Sequence, residues 1–157
     1  MSTSTPTTEI PRVNNARVAI AVADWNGHIT SRLLEGALTE LAAHGFEQQM
    51  IGVFHVPGAV ELTHAAASIA RQGIYDAIIV FGCVVRGDTP HFDYVCQSVT
   101  QGITQLNLGT TPVIFGVLTV ENEQQALDRC GGSAGHKGTE AADAAICMID
   151  FDRTLGV

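Results

Sequence analysis

Positive charge is scarce in this chain of 157 residues. Eight Lys and Arg face sixteen Asp and Glu, so the formal net charge is −8 at neutral pH. An acidic surface of this kind repels polyanions, which argues against nucleic acid and anionic membranes as partners. Any anion that the protein binds must therefore be held locally, by a few basic side chains or by backbone amides.

Charge of either sign is also limited. Only 15% of the residues are charged and 46% are hydrophobic, a low share of charge for a small domain. The length predicts one domain with a substantial core. We expect a flexible N-terminal arm over residues 1–15 and a single domain over residues 16–157, with extra apolar surface buried against copies of the chain.

Long apolar runs and paired cysteines are missing as well. No run approaches the length of a membrane span, and the Ser/Thr-rich start has neither the pattern of a signal peptide nor that of a transit peptide. Four cysteines are spread out without a Cys-x-x-Cys pair. This spacing indicates core thiols in a reducing compartment, so we expect a cytoplasmic protein.

Motifs for common cofactors are absent from the sequence. It contains no Gly-x-Gly-x-x-Gly, no Walker loop and no Gly-x-Ser-x-Gly elbow. Residues 24–28 make a poor phosphate loop for a flavodoxin-like FMN carrier. Asp88, His91 and Asp93, or Glu61 with His64, lack a second ligand cluster, so we expect neither a metal nor a cofactor.

Alternating apolar segments predict an α/β fold. Strands are predicted over residues 17–24, 47–56, 75–85 and 112–119, and helices over residues 29–44, 59–71, 91–106, 122–129 and 137–151. Strands that alternate with helices favour a parallel sheet with right-handed crossovers. We therefore expect a flavodoxin-like three-layer α/β/α sandwich around a four-stranded parallel sheet. The N-terminal arm could add an edge strand to a neighbouring subunit.

Residues 82–94 are the most informative segment. An apolar strand ends there in a polar turn, and His91 stands where the next helix begins. Ligands of open α/β sheets bind outside the carboxyl ends of the strands, where imidazole can move protons and free amides can hold an anion. The alternative is that His91 merely caps its helix.

Other candidate residues also follow strands, each with a structural alternative. Trp25, the only tryptophan, could stack on a planar heterocycle or plug the edge of the sheet. Glu61 could bind a polyhydroxylated ligand or simply complement a helix dipole. Arg129 and Lys137 flank a glycine-rich turn and could clamp a phosphate. Alternatively, Arg129 complements the end of its helix and Lys137 is solvated.

The chain resembles the lumazine synthase family of riboflavin biosynthesis over residues 17–151. The resemblance rests on five ordered motifs: Val-Pro-Gly-Ala-Val-Glu at 56–61, Arg-Gly-Asp-Thr-Pro-His-Phe-Asp-Tyr at 86–94, Pro-Val-Ile-Phe-Gly-Val-Leu-Thr at 112–119, Glu-Gln-Gln-Ala-Leu-Asp-Arg at 123–129 and His-Lys-Gly at 136–138. It implies a condensation without cofactor or metal. A ribitylaminopyrimidinedione amine reacts with 3,4-dihydroxy-2-butanone 4-phosphate to give 6,7-dimethyl-8-ribityllumazine, phosphate and water.

The resemblance also implies a role for each matching residue. Trp25 would stack on the pyrimidine, His91 would transfer protons and Phe115 would cover the pocket from an adjacent subunit. The remaining implied contacts are with the ribityl chain (Ala59, Val60 and Glu61), with the ring through the backbone (Cys83, Val84 and Val85) and with the phosphate (Asp88, Thr89, Arg129 and Lys137).

The sequence departs from the family pattern at four positions. Trp25 and Val60 stand where Phe is common, Thr63 where Pro is common and His136 where Asn is common. We expect Trp25 still to stack and Val60 to act through its backbone. His136 either tunes the phosphate site or is a neutral surface variant.

The resemblance implies a homo-oligomer with active sites at subunit interfaces. A pentamer is expected, with a shell of twelve pentamers as the larger assembly and riboflavin synthase as a further partner. Two other readings stay open: a carrier that binds lumazine or flavin without turnover, and a structural shell protein with a vestigial site. Retention of Glu61, His91, Arg129 and Lys137 together argues against both.

Overall fold

The computed structural model describes residues 9–157. Four parallel strands form one sheet in the order β2-β1-β3-β4, with β1 at Val18–Ala23, β2 at Ile51–Val56, β3 at Ala77–Val85 and β4 at Val113–Val120. Five helices surround it: α1 at Gly27–Ala43, α2 at Leu62–Ala70, α3 at His91–Leu106, α4 at Glu123–Asp128 and α5 at Lys137–Leu155. A short antiparallel hairpin, β5 at Cys130–Gly132 and β6 at Gly135–His136, joins α4 to α5.

Side chains that alternate along the central strands fill two separate cores. Ile20 and Val22 of β1 face α1 and α5, whereas Ala19 and Ala21 face α2 and α3. This alternation follows from the two-residue period of a strand with both faces covered. The flavodoxin-like three-layer fold with a four-stranded parallel sheet is confirmed.

Several predicted element boundaries were wrong. Residues 48–50 form a turn of 3-10 helix rather than the start of β2, because β1 first pairs at Val18 with Ile51 and offers no earlier partner. Helix α2 begins only at Leu62, after a 3-10 turn over Ala59–Glu61. Helix α5 continues to Leu155 and ends at Gly156, whose φ of 76° is typical of a helix C-terminus.

The predicted N-terminal arm is described only in part, because residues 1–8 lie outside the described residues. Ile10 and Val13 pack against the core beside α1. The guanidinium of Arg153 donates to the carbonyl oxygens of Asn14 and Asn15, at 2.7 and 3.4 Å. Residues 10–15 therefore contact their own subunit, and pairing of the arm with a neighbour stays a prediction.

The four cysteines all lie in the described range and form no disulfide. Cys83 and Cys130 are buried, and Cys96 and Cys147 are half-buried. Cys83 and Cys130 are small side chains of the core beside α1 and α5, as the spacing indicated.

A polar cluster of three residues lies between α1 and α5. His44 Nε2 is 3.1 Å from Glu40 Oε1 and 3.9 Å from Asp143 Oδ1. Burial raises the pKa of Asp143 above its usual value, and the neighbouring Glu40 carboxylate raises it further. The folded protein therefore holds a proton on Asp143 more tightly than the unfolded chain does.

Asp143→Asn is expected to stabilise the protein at pH 7. A carboxyl with a raised pKa favours folding only while it is protonated, so its ionisation destabilises the fold as pH rises through the raised pKa. The gain should shrink as pH falls towards 4, the usual range of an aspartate. Denaturant unfolding at both pH values measures it, with Asp150→Asn on the same helix as control. Destabilisation at pH 7 would show that the attraction to His44 outweighs burial.

Candidate active site

A cavity of about 440 Å³ opens at the carboxyl edge of the sheet. It lies where β1 and β3 end and where α2 and α3 begin. Nine residues expected from the sequence line it: Trp25, Ala59, Val60, Glu61, Cys83, Val84, Val85, Thr89 and His91. Five further residues complete the lining: Asn26, Gly58, Gly87, Phe92 and Val95.

Trp25 stands at the mouth of the cavity. Its backbone N–H donates to the Pro57 carbonyl at 3.0 Å, which extends the pairing of β1 with β2 beyond the strands. Its side chain is 74% exposed and so does not plug the sheet. Asn26 follows in the left-handed conformation and donates from Nδ2 to the Cys83 carbonyl at 2.9 Å. Hydrogen bonds therefore fix the backbone at Trp25, while its exposed indole is open to stacking by a ligand.

The last residues of β3 form the floor of the cavity. Burial, with a smaller contribution from the neighbouring Cys130, raises the pKa of the Cys83 thiol to about 12. A thiol with this pKa is protonated at neutral pH and is a poor nucleophile. Cys83 therefore contributes shape and an apolar surface, together with Val84 and Val85.

The 3-10 turn Ala59–Glu61 forms one wall of the cavity. It lies so close to β3 that a Cβ on Gly82 would come within 3.3 Å of the Ala59 side chain. Glu61 is exposed and makes no capping hydrogen bond at the start of α2. Among the described residues its carboxylate has no hydrogen-bond partner, so it can accept hydrogen bonds from a ligand.

The turn from Gly87 to Pro90 and the start of α3 form the opposite wall. Among the described residues, the backbone amides of Gly87, Asp88 and Thr89 have no hydrogen-bond partner. The N-cap of α3 is Pro90, without a side-chain capping bond, so His91 does not cap the helix. Its imidazole lines the cavity beside amides at the positive end of a helix, an arrangement suited to an anion and to proton transfer.

Four predicted site residues do not line the cavity of their own subunit. Asp88 is exposed in the turn beside it. Phe115 pairs with Val80, five residues before the end of β3 and therefore roughly 17 Å back along the strand. Arg129 and Lys137 lie at the other helical layer, where their side-chain nitrogens are 3.2 and 3.5 Å from Oε2 of Glu140.

Phe92 and Val95 could have been found from helical spacing. Val95 lies four residues after His91, so both share one face of α3. Sequence reasoning instead assigned Val95 to the core alone. Asn26 carried no local signal, because its hydrogen bond to Cys83 joins residues that are 57 positions apart.

His136 is not a surface variant, and it does not line the cavity of its own subunit. It is half-buried, and its Nδ1 accepts a hydrogen bond from the Gly138 N–H at 3.2 Å, which caps α5. Its ring packs so closely against Gly36 of α1 that a Cβ there would lie 2.1 Å from Cε1. The histidine therefore joins the start of α5 to α1.

His136→Ala is expected to lower the free energy of unfolding by about 1 kcal/mol, because the capping acceptor is lost. His136→Asn should retain most of the stability, since Asn is a good N-cap residue. Chemical denaturation of both variants measures the difference. Equal losses in the two variants would show that ring packing dominates over capping.

Within residues 9–157, none of the helices is both long and apolar enough to cross a membrane. In the same range, the three residues whose potential metal-ligand atoms lie close together are Glu40, His44 and Asp143, and none of them lines the cavity. The sets Asp88, His91, Asp93 and Glu61, His64 are not brought together in such a group.

The fold and the site define a three-layer α/β protein with an open ligand cavity at the carboxyl edge of its parallel sheet. The family model described as 6,7-dimethyl-8-ribityllumazine synthase matches residues 15–153. The chain belongs to the 6,7-dimethyl-8-ribityllumazine synthase family, which is a family of transferases.

Relatives of that name are similar over most of their length. The chain is 56% identical to the protein from Porphyromonas gingivalis over 145 residues, which cover 92% of this chain and 90% of that protein. It is 52% identical to the protein from Phocaeicola vulgatus over 147 residues, covering 93% and 88%. A relative from Pediococcus pentosaceus is 47% identical over 140 residues, covering 88% and 90%.

Proposed function

We propose that this chain condenses 5-amino-6-(D-ribitylamino)uracil with 3,4-dihydroxy-2-butanone 4-phosphate to give 6,7-dimethyl-8-ribityllumazine. Membership of the family supports the reaction class. The structural observation that carries the proposal is the cavity itself. It combines an exposed aromatic face, a polar turn, unpaired amides and one imidazole. These groups match a planar ring, a polyol chain, a phosphate and a proton-transfer step.

The pyrimidine substrate is assigned to the side of the cavity near Trp25. Its ring stacks on the indole and lies against the backbone of Cys83, Val84 and Val85. The ribityl chain extends along Ala59 and Val60, and its hydroxyls donate to the free carboxylate of Glu61. The end of β3 thus holds the ring of this substrate, and the 3-10 turn Ala59–Glu61 holds its ribityl chain.

The phosphate substrate is assigned to the wall formed by α3. The amides of Asp88 and Thr89 donate to its phosphate, which also gains from the helix dipole. His91 then lies between the two substrates. It takes and returns the protons when the amine attacks the ketone, water leaves to form the imine and phosphate is eliminated. Attack by the ribitylamino nitrogen then closes the ring with loss of water, so no redox partner is needed.

The site is completed by an adjacent subunit. Phe115, Arg129 and Lys137 lie away from the cavity of their own chain, and we assign them to the cavity of a neighbour. Arg129 is well suited to this role, because its Nε is buried without a hydrogen-bond partner among the described residues. A neighbour's phosphate would then draw the guanidinium from Glu140 into a charge-assisted contact.

The proposed assembly is a pentamer, and a shell of twelve pentamers is the larger form. Strand β2 is an edge strand whose Val53 is 39% exposed, so its open side can pair with the N-terminal arm of a neighbour. The low charge content also favours burial between subunits. We further propose a cytoplasmic location, supported by four unpaired thiols, and riboflavin synthase as a partner that takes up the product.

Mixing of two impaired variants is expected to restore activity if sites are shared between subunits. In oligomers reassembled from equal amounts of His91→Ala and Arg129→Ala subunits, about a quarter of the sites receive both wild-type residues by random pairing. Specific activity should therefore recover to about a quarter of the wild-type value after joint denaturation and refolding, whereas separately refolded variants stay impaired. No recovery in a properly assembled mixture would place Arg129 and His91 in the site of the same subunit.

The reaction itself is tested with purified, metal-free protein and both substrates, by following lumazine absorbance and phosphate release together. Product and phosphate that appear at equal rates, above the spontaneous rate, support the proposal. Tight binding of lumazine or riboflavin without acceleration would instead make the protein a carrier or a shell protein.

A further inference from the structure

Arg86 is the first residue after β3 and the start of the turn that carries the unpaired amides. Its backbone N–H donates to the Val120 carbonyl at 2.9 Å, which continues the pairing of β3 with β4. Its guanidinium donates from Nε to Glu121 Oε2 at 2.7 Å and from Nη1 to Asp93 Oδ1 at 3.2 Å. The guanidinium carbon also lies 4.1 Å from the centroid of the Phe92 ring.

These contacts join three segments at the carboxyl edge of the sheet. Glu121 follows β4, while Phe92 and Asp93 belong to the first turn of α3. Exposed ion pairs contribute little one by one. Here, however, one planar guanidinium makes two hydrogen bonds and stacks on a ring, a combination that lysine cannot reproduce. The turn between Arg86 and His91 begins at Arg86 itself, and the Arg86 side chain also contacts Phe92 and Asp93, just after the turn ends. The same side chain therefore links the two ends of the turn.

The guanidinium of Arg86 is not placed to bind a ligand in the cavity. The hydrogen bond to Glu121 raises the pKa of Arg86 further, so its charge is permanent and already matched by two carboxylates. Phe92 lines the cavity, and Arg86 itself does not. Arg86 thus touches the wall of the site from outside.

We propose that Arg86 is a positioning residue, which fixes the turn of Gly87, Asp88 and Thr89 in the conformation that binds the phosphate of the substrate. The inference rests on the proposed function of this cavity. It is distinct from a role as phosphate ligand, because the two roles predict opposite effects when the carboxylate partner is withdrawn.

Glu121→Asp provides the decisive test, since it keeps the charge but shortens the side chain. If Arg86 positions the turn, this change weakens phosphate binding. The KM for the phosphate substrate and the inhibition constant of inorganic phosphate should rise by about twofold to fivefold, in keeping with an exposed ion pair. The kcat and the KM for the pyrimidine should stay within about twofold. If Arg86 is itself a phosphate ligand, the freed guanidinium tightens phosphate binding instead, and the proposal is overturned.

Arg86→Gln and Arg86→Lys extend the test. Arg86→Gln removes all the side-chain contacts, and the KM for the phosphate substrate should rise by roughly tenfold. Arg86→Lys should resemble Arg86→Gln. The lysine ammonium keeps the positive charge, but it cannot make both directed hydrogen bonds of the guanidinium or stack flat on the Phe92 ring. Wild-type constants in Arg86→Lys, or a change confined to thermal stability in Arg86→Gln, would refute positioning.

Glu123→Asp is the matched control, because Glu123 follows Glu121 closely in the chain and pairs with His28 rather than Arg86. It should leave every constant unchanged. Lumazine formation by the wild-type protein is measured first. If the wild-type protein forms no lumazine, the proposed function has failed, independently of any effect of Arg86. Calorimetry with inorganic phosphate then tests the turn separately, and a wild-type affinity for phosphate in Glu121→Asp and Arg86→Gln contradicts the inference.

Discussion

Replacing His91 with alanine is expected to lower kcat by roughly 10²–10⁴-fold, the usual contribution of one general acid–base group. The imidazole is the proton-transfer group that we place between the two substrates. The remaining rate should exceed the spontaneous one, because the cavity still holds both substrates together and the amides still neutralise the phosphate. The variant is expected to be slow rather than inactive.

Steady-state kinetics and direct measurements of binding of each substrate together test this expectation. His64→Ala is the control, because His64 is exposed on α2 and does not line the cavity. It should retain wild-type kcat and KM. An His91→Ala variant that binds both substrates normally yet shows no rate above the spontaneous one would require every step to depend on the imidazole. A variant with unchanged kcat would remove His91 from catalysis.

Gly138→Ala is expected to cause the largest loss of stability, about 2–3 kcal/mol. A Cβ at this position would lie 2.1 Å from the backbone oxygen of Leu33 and 3.0 Å from the His136 ring. The obstacle is the backbone of α1, which cannot move aside as a flexible side chain can. Helix α5 would have to shift away from α1, and the core that contains Leu33 of α1 and Ala142 of α5 would loosen.

Gly27→Ala is the matched control for this prediction. Gly27 is also a helical glycine, but a Cβ there would meet nothing within 4 Å. The change should leave stability the same or raise it by about 0.5–1 kcal/mol, because alanine restricts the unfolded chain. Equilibrium denaturation measures the free energy of unfolding of both variants. A Gly138→Ala variant as stable as Gly27→Ala would mean that α1 and α5 separate at little cost.

Much of the fold followed from local pattern. The apolar run over residues 75–85 predicted a strand, and β3 lies there, in the middle of the sheet between β1 and β4. The start of α3 near His91 was also predicted, from the helical spacing of Val95, Val99 and Ile103. The start of β2 was wrong for a non-local reason, since pairing there depends on where β1 begins.

For the candidate site as well, some positions followed from the sequence and others did not. Trp25, Thr89 and His91 were predicted to meet because each follows a strand, and parallel strands end at one edge. Arg129 and Lys137 are near each other as the glycine-rich turn suggested, yet the tertiary structure pairs both with Glu140 on the far layer. Chain order alone cannot say on which face of the sheet a loop lies.

The sequence by itself determined the class of fold, the edge at which the ligand cavity opens and the family. These depend on periodicity and on motifs that are contiguous in the chain. Only the tertiary structure decided that His136 caps α5 against Gly36 and that Arg86 links Glu121 to Phe92. The physical reason is that such contacts depend on side chains brought together by the packing of separate elements, and no local pattern records that packing.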